Sequence, residues 1–368
     1  MRFPEFSGEW NKYTINDLAT VVGGGTPDTT VKSYWGGDIQ WFTPSEIGKN
    51  KYVDFSKRTI TRDGLDNSSA KLLPLHTILL SSRATVGECS IASNECTTNQ
   101  GFQSLIAKQC NIDFLYYLIQ TKKKDLIRNA CGSTFLEISA NEIRKIKVAV
   151  PVQNEQEQIA KLLSLIDERI ATQNKIIEKL QSLIKGLVDE LMTVLLKGKL
   201  YPFSSFYIKA GEGGTPTTSV VEYYTEGTIP FIKIEDLSCK YLTNNKDFIT
   251  ELGMQKSSAW LIPSKSVIYS NGATIGAISI NEYPVCTKQG ILGIVPNTNI
   301  NVEYLYLLMS SSYFSKEISR IITEGTMKTA YLKDINHIKC PLPSMAQQKN
   351  ITNLTSSIEE KLSIEQEL

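Results

Sequence analysis

One sequence pattern occurs twice along this chain. The tetrapeptide Gly-Gly-Thr-Pro at residues 24–27 recurs at 213–216, and Ala-Thr-Val-Gly at 84–87 recurs as Ala-Thr-Ile-Gly at 273–276, both 189 residues later. The spacing of later matches drifts to no more than 192 residues, so insertions are few. Because this repeat is far longer than the repeat of a solenoid protein, the pattern predicts two homologous domains in tandem.

The two copies differ between their matched blocks. Residues 49–69 and 240–258 share little beyond their polar character. A constant scaffold with divergent polar loops is what two related readers of different targets need. Drift after duplication explains the same difference without any functional meaning, so both explanations stay open at this point.

Each copy mixes strand and helix patterns. Alternating apolar residues predict short strands at 38–42, 77–81, 88–92, 229–234, 267–270 and 277–280. Apolar residues at three- and four-residue spacing predict helix at 113–128 and 302–322. The expected fold class is therefore α+β.

A long helix is predicted between the two copies. Residues 152–199 contain no proline and only two glycines, and they are rich in Leu, Ile, Glu, Gln and Lys. At 1.5 Å per residue such a helix would span about 70 Å. Its apolar stripe consists of Ile159, Leu162, Ile166, Ile170, Ile177, Leu180, Ile184, Leu187 and Leu191, the later members of which alternate by three and four as in a coiled coil.

The second copy ends in the same stripe. Ile351, Leu354, Ile358 and Leu362 repeat the first four positions of the long helix 192 residues later. We expect the two helices to pair as an antiparallel coiled coil, which would relate the two domains by a pseudo-twofold axis and suit two separated half-sites on one DNA duplex. The alternative is that each stripe packs only on its own domain.

Charge and cysteine content limit the classes of function. Residues 1–151 carry 18 Lys and Arg against 15 Asp and Glu, and residues 201–343 carry 12 against 12. This balance argues against indiscriminate coating of DNA, which needs many uncompensated cations. Seven scattered cysteines, no long apolar run and no signal-peptide core predict reduced thiols and a cytoplasmic location.

No catalytic constellation is found in the sequence. The glycine-rich residues 23–27 are not followed by the Gly-Lys-Ser/Thr of a phosphate-binding loop, and no Asn/Asp-Pro-Pro-Tyr/Phe methyltransferase motif occurs. A partial match to a metal-nuclease site from Asp28 to Lys49 has the wrong spacing, and His76 and His337 lack metal-ligand spacing. We therefore predict no catalytic or metal-ligating residues.

The ordered motifs resemble a known family. Tyr-Trp-Gly-Gly-Asp-Ile-Gln-Trp at 34–41, Thr-Asn-Gln-Gly at 98–101 and Pro151 with Gln156 and Ile159 are similar to a target-recognition domain of type I restriction-modification specificity subunits. The second copy has the same order in weaker form, with Thr-Lys-Gln-Gly at 287–290 and Pro343 before Gln348.

The resemblance implies a domain plan and a set of partners. Target-recognition domains are expected at 1–151 and 200–343, a central helix at 152–199 and a short C-terminal helix at 344–368. Such a subunit binds double-stranded DNA and two methyltransferase subunits, and through them restriction subunits. S-adenosylmethionine, ATP and Mg²⁺ then belong to those partners, and no cofactor is expected on this chain. The C-terminal helix is about half as long as its counterpart, which leaves open how symmetrically the partners are held.

Polar residues in the divergent or repeat-flanking loops are the predicted DNA contacts. Arg can form paired hydrogen bonds with guanine, Asn and Gln can do so with adenine, and Lys can bind phosphates and guanine. Each could equally be a solvated surface residue. The candidates are Lys49, Lys51, Arg58, Arg62, Ser82, Arg83 and Asn99 in the first copy and Lys233, Lys240, Asn244, Lys246, Asn271, Lys288 and Gln289 in the second.

Two other classes of protein compete with this interpretation. A transcription regulator with internal symmetry would share the DNA-reading architecture, but it predicts a helix-turn-helix, and no convincing one is found. A coiled-coil scaffold predicts no DNA affinity and leaves the divergent loops unexplained.

Overall fold

The computed structural model describes residues 2–132, 136–322 and 328–367. It contains helices and mixed sheets, which confirms the predicted α+β class. The chain separates into two compact units, Met1–Ala171 (unit 1) and Thr172–Leu368 (unit 2), and the division lies inside a long helix. The boundaries predicted at 151, 199 and 343 remain predictions.

In its described residues, 2–132 and 136–171, unit 1 contains ten short strands and the helices between and after them. Its strands are β1 (Asn11–Thr14), β2 (Ala19–Gly23), β3 (Trp35–Phe42), β4 (Tyr52–Val53), β5 (Arg58–Ile60), β6 (Ile78–Leu80), β7 (Cys89–Ala92), β8 (Cys96–Thr98), β9 (Gln103–Ala107) and β10 (Lys147–Val150). Its helices are α1 (Ile15–Leu18), α2 (Arg62–Asp66), α3 (Ile112–Thr121), α4 (Lys123–Arg128) and α5 (Ala140–Lys145), and α6 (Gln153–Leu195) begins in unit 1 and ends in unit 2.

The strands of unit 1 form two sheets and one separate pair. The sheets have the strand orders β2-β9-β6-β7-β4 and β5-β3-β8. Strand β1 pairs antiparallel with β10, with Asn11 opposite Val150. Because β10 directly precedes α6, this pair ties the start of the unit to the base of the long helix.

The five-stranded sheet of unit 1 separates two hydrophobic cores. Ile78 and Leu80 on β6 belong to the core that Leu115 of α3 helps to form. Leu79, between them, belongs to a second core with Phe102. This alternation is the period of two that a strand imposes on its side chains.

Unit 2 repeats the topology of unit 1. Its strands are β11 (Leu200–Pro202), β12 (Tyr207–Glu212), β13 (Ile229–Ile232), β14 (Tyr241–Leu242), β15 (Phe248–Ile249), β16 (Val267–Ser270), β17 (Ile278–Asn281), β18 (Cys286–Thr287), β19 (Ile291–Pro296) and β20 (Lys339–Pro341). The sheet orders β12-β19-β16-β17-β14 and β15-β13-β18, with the pair β11-β20, match those of unit 1 strand for strand. The sequence repeat is thus a repeat of fold.

The helices of unit 2 follow the same plan, as α7 (Glu251–Gln255), α8 (Val302–Ser310), α9 (Ser312–Ile321), α10 (Leu332–Ile335) and α11 (Met345–Glu367).

Each of the two stretches predicted to be helical, 113–128 and 302–322, forms two helices instead of one. In unit 2 the interruption falls at Ser311, whose backbone is extended and whose side chain accepts a hydrogen bond from Phe314 N. A serine in this position starts a new helix.

Within unit 2, the later part of α6 runs antiparallel to α11. Gln173 Nε2 donates to the backbone oxygen of Glu365 at 2.7 Å, near the end of α11. Further along α6, Val188 and Met192 share a core with Ile351, near the start of α11. This direction agrees with the predicted antiparallel pairing.

The glycines of the repeated Gly-Gly-Thr-Pro motif allow close passage of the backbone. A Cβ on Gly24 would lie 2.0 Å from Asn99 O, and one on Gly213 would lie 2.1 Å from Thr287 O. No side chain fits at either position, because both neighbours are backbone atoms. The motif therefore has a structural reason to recur in both units.

We predict opposite effects for alanine at two glycines. Gly24→Ala should destabilise the protein by at least about 1–3 kcal/mol, because overpacking forces the backbone to move. Gly186→Ala is the matched control: it lies in α6 with nothing within 4 Å of its Cβ, and should stabilise by about 0.5–1 kcal/mol. Chemical denaturation of both variants checks this, and equal midpoints would contradict the packing argument.

Candidate nucleic-acid interface

Three loops of unit 1 meet in one place, which we call the loop rim (residues 24–27, 81–84 and 98–101). Thr26 Oγ1 donates to Gln100 Oε1 at 2.5 Å, and Ser82 N donates to Gly101 O at 2.8 Å. In unit 2 the equivalent rim is formed by residues 213–216, 270–273 and 287–290, where Asn271 N donates to Gly290 O at 3.0 Å. Tertiary contacts therefore assemble loops that are distant in sequence.

Arg58 lies beside the loop rim of unit 1 and is held by aromatic rings. Its guanidinium carbon is 3.5 Å from the centroid of Trp35, and the Trp41 ring is 5.5 Å away. Trp41 Nε1 in turn donates to Gly25 O at 2.9 Å, which joins the cluster to the rim. In the described part of the chain no carboxylate forms a salt bridge with Arg58. A stacked, exposed guanidinium keeps its N–H groups available for a ligand.

Unit 2 has different chemistry at the same place. Tyr224 stands 189 residues after Trp35, and Asp247 stands 189 residues after Arg58. Asp247 accepts a salt bridge of 2.8 Å from Lys233 Nζ. The hydrogen bond to this carboxylate is the main reason that the pKa of Lys233 is raised. The two units thus have the same backbone fold at this place but present different polar groups.

The remaining candidates in the exposed loops stay predictions. Arg62 and Arg83 are exposed and pair only loosely, with Asp66 at 3.4 Å and Glu137 at 3.6 Å. The others that are exposed are Lys49, Asn244, Lys246, Lys288 and Gln289. Loose surface pairs contribute little to stability, so these cations can exchange partners.

Three candidates on the loop rims are less accessible than the others. The side chains of Ser82 and Asn271 are buried, and Asn271 Nδ2 donates to Ala330 O at 3.1 Å. Asn99 is half-buried, and its Oδ1 accepts a hydrogen bond from Gly101 N at 2.9 Å. These three side chains expose little surface to a ligand, and their contact with DNA remains a prediction.

For Lys51 and Lys240 the DNA contact also remains a prediction, and each side chain is enclosed in what we call a lysine cage. Lys51 Nζ lies 2.8 Å from Asp113 Oδ1 and 2.7 Å from Ser164 Oγ. Lys240 Nζ lies 2.6 Å from Glu359 Oε2 and 3.6 Å from Glu303 Oε2. Both lysine side chains are only 13% exposed. An ammonium group that is covered and already paired is poorly placed to bind a phosphate.

Aromatic rings complete both cages. Lys51 Nζ is 4.6 Å from the centroid of Tyr117, and Lys240 Nζ is 5.6 Å from that of Tyr306. Burial alone would raise the pKa of Asp113, but the hydrogen bonds from Lys51 and Tyr52 outweigh burial and lower it. The carboxylate therefore stays ionised opposite Lys51.

A buried glutamine fixes the start of each long helix. Gln156 Nε2 donates to Pro151 O at 3.0 Å, and its Oε1 accepts from Asn111 N at 3.0 Å. Gln348 does the same in unit 2, where Nε2 donates to Pro343 O at 2.9 Å and Oε1 accepts from Asn301 N at 2.7 Å. The repeated Pro-x4-Gln motif is thus the joint between domain and helix.

The predicted helix-pairing residues fall into three groups: those packed on a core, those that are half-buried and those that are exposed. Ile184, Leu191 and Ile351 pack against the core of unit 2. Ile159 packs against the core of unit 1, and Ile177, Leu180, Leu187, Ile358 and Leu362 are half-buried. Leu162, Ile166, Ile170 and Leu354 are 45–55% exposed. The helix-pairing role of all these residues remains a prediction.

Comparison with known proteins identifies the family. The model of the type I restriction modification DNA specificity domain matches residues 7–182 and again 206–368. The chain belongs to the type I restriction-modification DNA specificity family. As a member of that family with two specificity domains, it is a DNA-specificity subunit and not the catalytic component.

Individual members of the family agree with this assignment. The MjaIX specificity subunit of Methanocaldococcus jannaschii is 29% identical over 96% of this chain and 88% of that protein. The type I S subunit of M. genitalium is 19% identical in structure alignment, with a TM-score of 0.60 over 100% of this chain and 94% of that one. A structure concerning complex assembly and conformational transition of the type I R-M system aligns with a TM-score of 0.60 and 14% sequence identity. The alignment covers 98% of this chain and 92% of that chain. At these identities the two structures show the fold alone.

Within the described ranges, the specificity subunit contains no cluster of His, Cys, Asp and Glu that could hold a metal ion. Burial raises the pKa of Cys110 and Cys340 to about 12, so these thiols are poor nucleophiles. Among the described helices, none is long and apolar enough to cross a membrane.

Sequence reasoning missed the structural role of the glutamines. In the sequence they contribute only to the family resemblance, although their recurrence five residues after a proline in both copies is a detectable signal. A polar residue kept at equal spacing near a helix start is typical of a capping or joining contact. The role of Trp35 as a support for Arg58 had no such signal.

Gln156→Ala should loosen the joint in unit 1. It leaves Asn111 N–H and Pro151 C=O without their partner, and buried unsatisfied groups of this kind cost about 2 kcal/mol. Gln158→Ala is the matched control, because Gln158 is exposed two residues later on the same helix. Chemical denaturation should show a lower midpoint for Gln156→Ala alone, and a shift shared by both variants would refute the joint.

Proposed function

We propose that each unit reads one half of a bipartite DNA site, while the long helices fix the spacer and dock two methyltransferase subunits. Restriction subunits join the complex through those methyltransferase subunits. One observation carries the proposal: two units with the same strand order present different polar groups at equivalent positions beside the loop rim. Two domains with the same fold but different polar groups are suited to bind two half-sites of different sequence.

The chemistry of the rims supports base reading. A guanidinium such as that of Arg58 can donate two parallel hydrogen bonds to guanine O6 and N7, and an amide such as that of Gln289 suits adenine. The formal net charge of the chain is only +1. Since phosphate contacts supply most of the affinity for DNA, partner subunits must contribute cations to the complex.

The same proposal assigns cofactors and location. S-adenosylmethionine serves the methyltransferase partners, and ATP and Mg²⁺ serve the restriction partners, while this chain binds none of them. Because the substrate is cellular DNA, the complex acts in the cytoplasm.

The experiment is to express the chain with its cognate modification subunit and to sequence methylated adenines. We expect one motif made of two specific parts separated by a fixed gap. Replacing residues 1–151 by the equivalent domain of another family member should change one part and leave the other intact. Changes in both parts, or methylation by this chain alone, would contradict the proposal.

Arg58→Ala should weaken reading of the half-site that unit 1 contacts. Loss of a bidentate base contact of about 1–3 kcal/mol lowers methylation at that site by roughly tenfold or more and relaxes one base position. Arg320→Ala is the control, because Arg320 is exposed on α9 of unit 2 and pairs with Glu317. Methylation rates on oligonucleotides with single-base changes check both, and equal losses would remove Arg58 from the interface.

A further inference from the structure

The two lysine cages connect the divergent segments to the long helices. Lys51 lies near the start of the divergent segment 49–69, which also carries Arg58. Lys240 is the first residue of the divergent segment 240–258 in unit 2. Each lysine is therefore placed between a segment proposed to read DNA and a helix proposed to set the spacer.

The helix side of each cage lies within one helical turn of the same position on α6 and α11, although the two lysines bond different residues there. In unit 1, Lys51 Nζ bonds Ser164 Oγ on α6, and Tyr117 OH donates to Asp167 Oδ2 at 2.5 Å. In unit 2, Lys240 Nζ bonds Glu359 on α11, which stands 192 residues after Asp167. Two units that differ in their rims thus retain the same kind of tie.

Because the ammonium group is covered, the contact between the divergent segment and the helix resists movement. Removing Lys51 from Asp113 and Ser164 would leave a cation with 13% exposure without compensation, which is unfavourable unless the group moves into water. The segment and the helix can therefore change their relative position only if the cage opens. Surface ion pairs, which exchange freely with water, impose no such limit.

We propose that Lys51 is a positioning residue for DNA specificity: it holds the reading segment of unit 1 to helix α6 and so sets the gap accepted between the half-sites. This role rests on the proposed function. Lys240 is its equivalent in unit 2 and holds the segment 240–258 to α11. Neither lysine contacts a base, so the bases read in each half-site are independent of the cage.

The test measures the gap and the bases separately. The chain and its cognate modification subunit are expressed in cells that carry both half-sites at the native gap or at gaps one base pair shorter or longer. Lys51→Met, and the helix-side double variant Ser164→Ala with Asp167→Asn, should raise methylation at the wrong gaps about tenfold relative to the native gap, the effect of losing one charge-assisted hydrogen bond. The half-site bases should stay the same.

The control is Glu168→Gln, which changes the charge of an exposed residue adjacent to Asp167 on α6 and should keep the native gap. Lys51→Met also leaves Asp113 without its cation and should lower the melting temperature. Lys51→Met with Asp113→Asn removes that uncompensated charge, so it should regain stability while the wider choice of gaps persists.

Two outcomes would overturn the proposal. If the helix-side variant and the Lys51→Met, Asp113→Asn variant both keep the native gap, Lys51 serves only stability. If the bases change together with the gap, the lysine acts in base reading. Failure of the proposed function looks different, because the wild-type chain would then give no methylation that depends on the gap.

Discussion

Buried polar groups at the base of each long helix must find partners inside the protein, since water does not reach them. Gln156 and Gln348 meet this requirement by bonding both the chain that enters the helix and the first turn of a neighbouring helix. An amide has a donor and an acceptor at a fixed angle, so it constrains direction as well as distance. The joint between sheet domain and helix is therefore rigid in both units, and the placement of everything that follows depends on it.

The duplicated scaffold separates structural demands from recognition. The glycines of the Gly-Gly-Thr-Pro loops and the two glutamines recur because backbone packing and buried hydrogen bonds leave no alternative. The groups beside the rim face fewer constraints. Arg58 stacks on Trp35 in one unit, whereas Lys233 pairs with Asp247 in the other. In a fold of this kind, the residues beside the rim can be replaced, and the recognised DNA sequence changed, without loss of the fold.

Much of the fold could be predicted from local patterns. The strand at Val267–Ser270 and the long helix were visible from their regular apolar spacing, although Leu162, Ile166 and Ile170 of that helix are 45–53% exposed. The break at Ser311 was not visible because the apolar spacing continues across it, and the break at Lys122 lies in a polar stretch that an exposed helical turn would also show. Among the candidate contacts, Arg58 is exposed as expected, but Lys51 and Asn271 are enclosed. Sequence patterns report polarity, whereas burial depends on which distant segment packs above a residue.

The sequence by itself determined the duplication, the α+β class, the long helix and the family, because each is recorded in repeated order and local period. Only the tertiary structure decided which polar residues are free. Lys49 and Lys51 are two residues apart and chemically alike, yet one is exposed and the other lies between Asp113 of α3 and Ser164 of α6. The physical reason is that a lysine pairs with the polar groups that folding brings within about 3 Å of its ammonium nitrogen. For Lys51 those groups belong to residues more than 60 positions away in sequence.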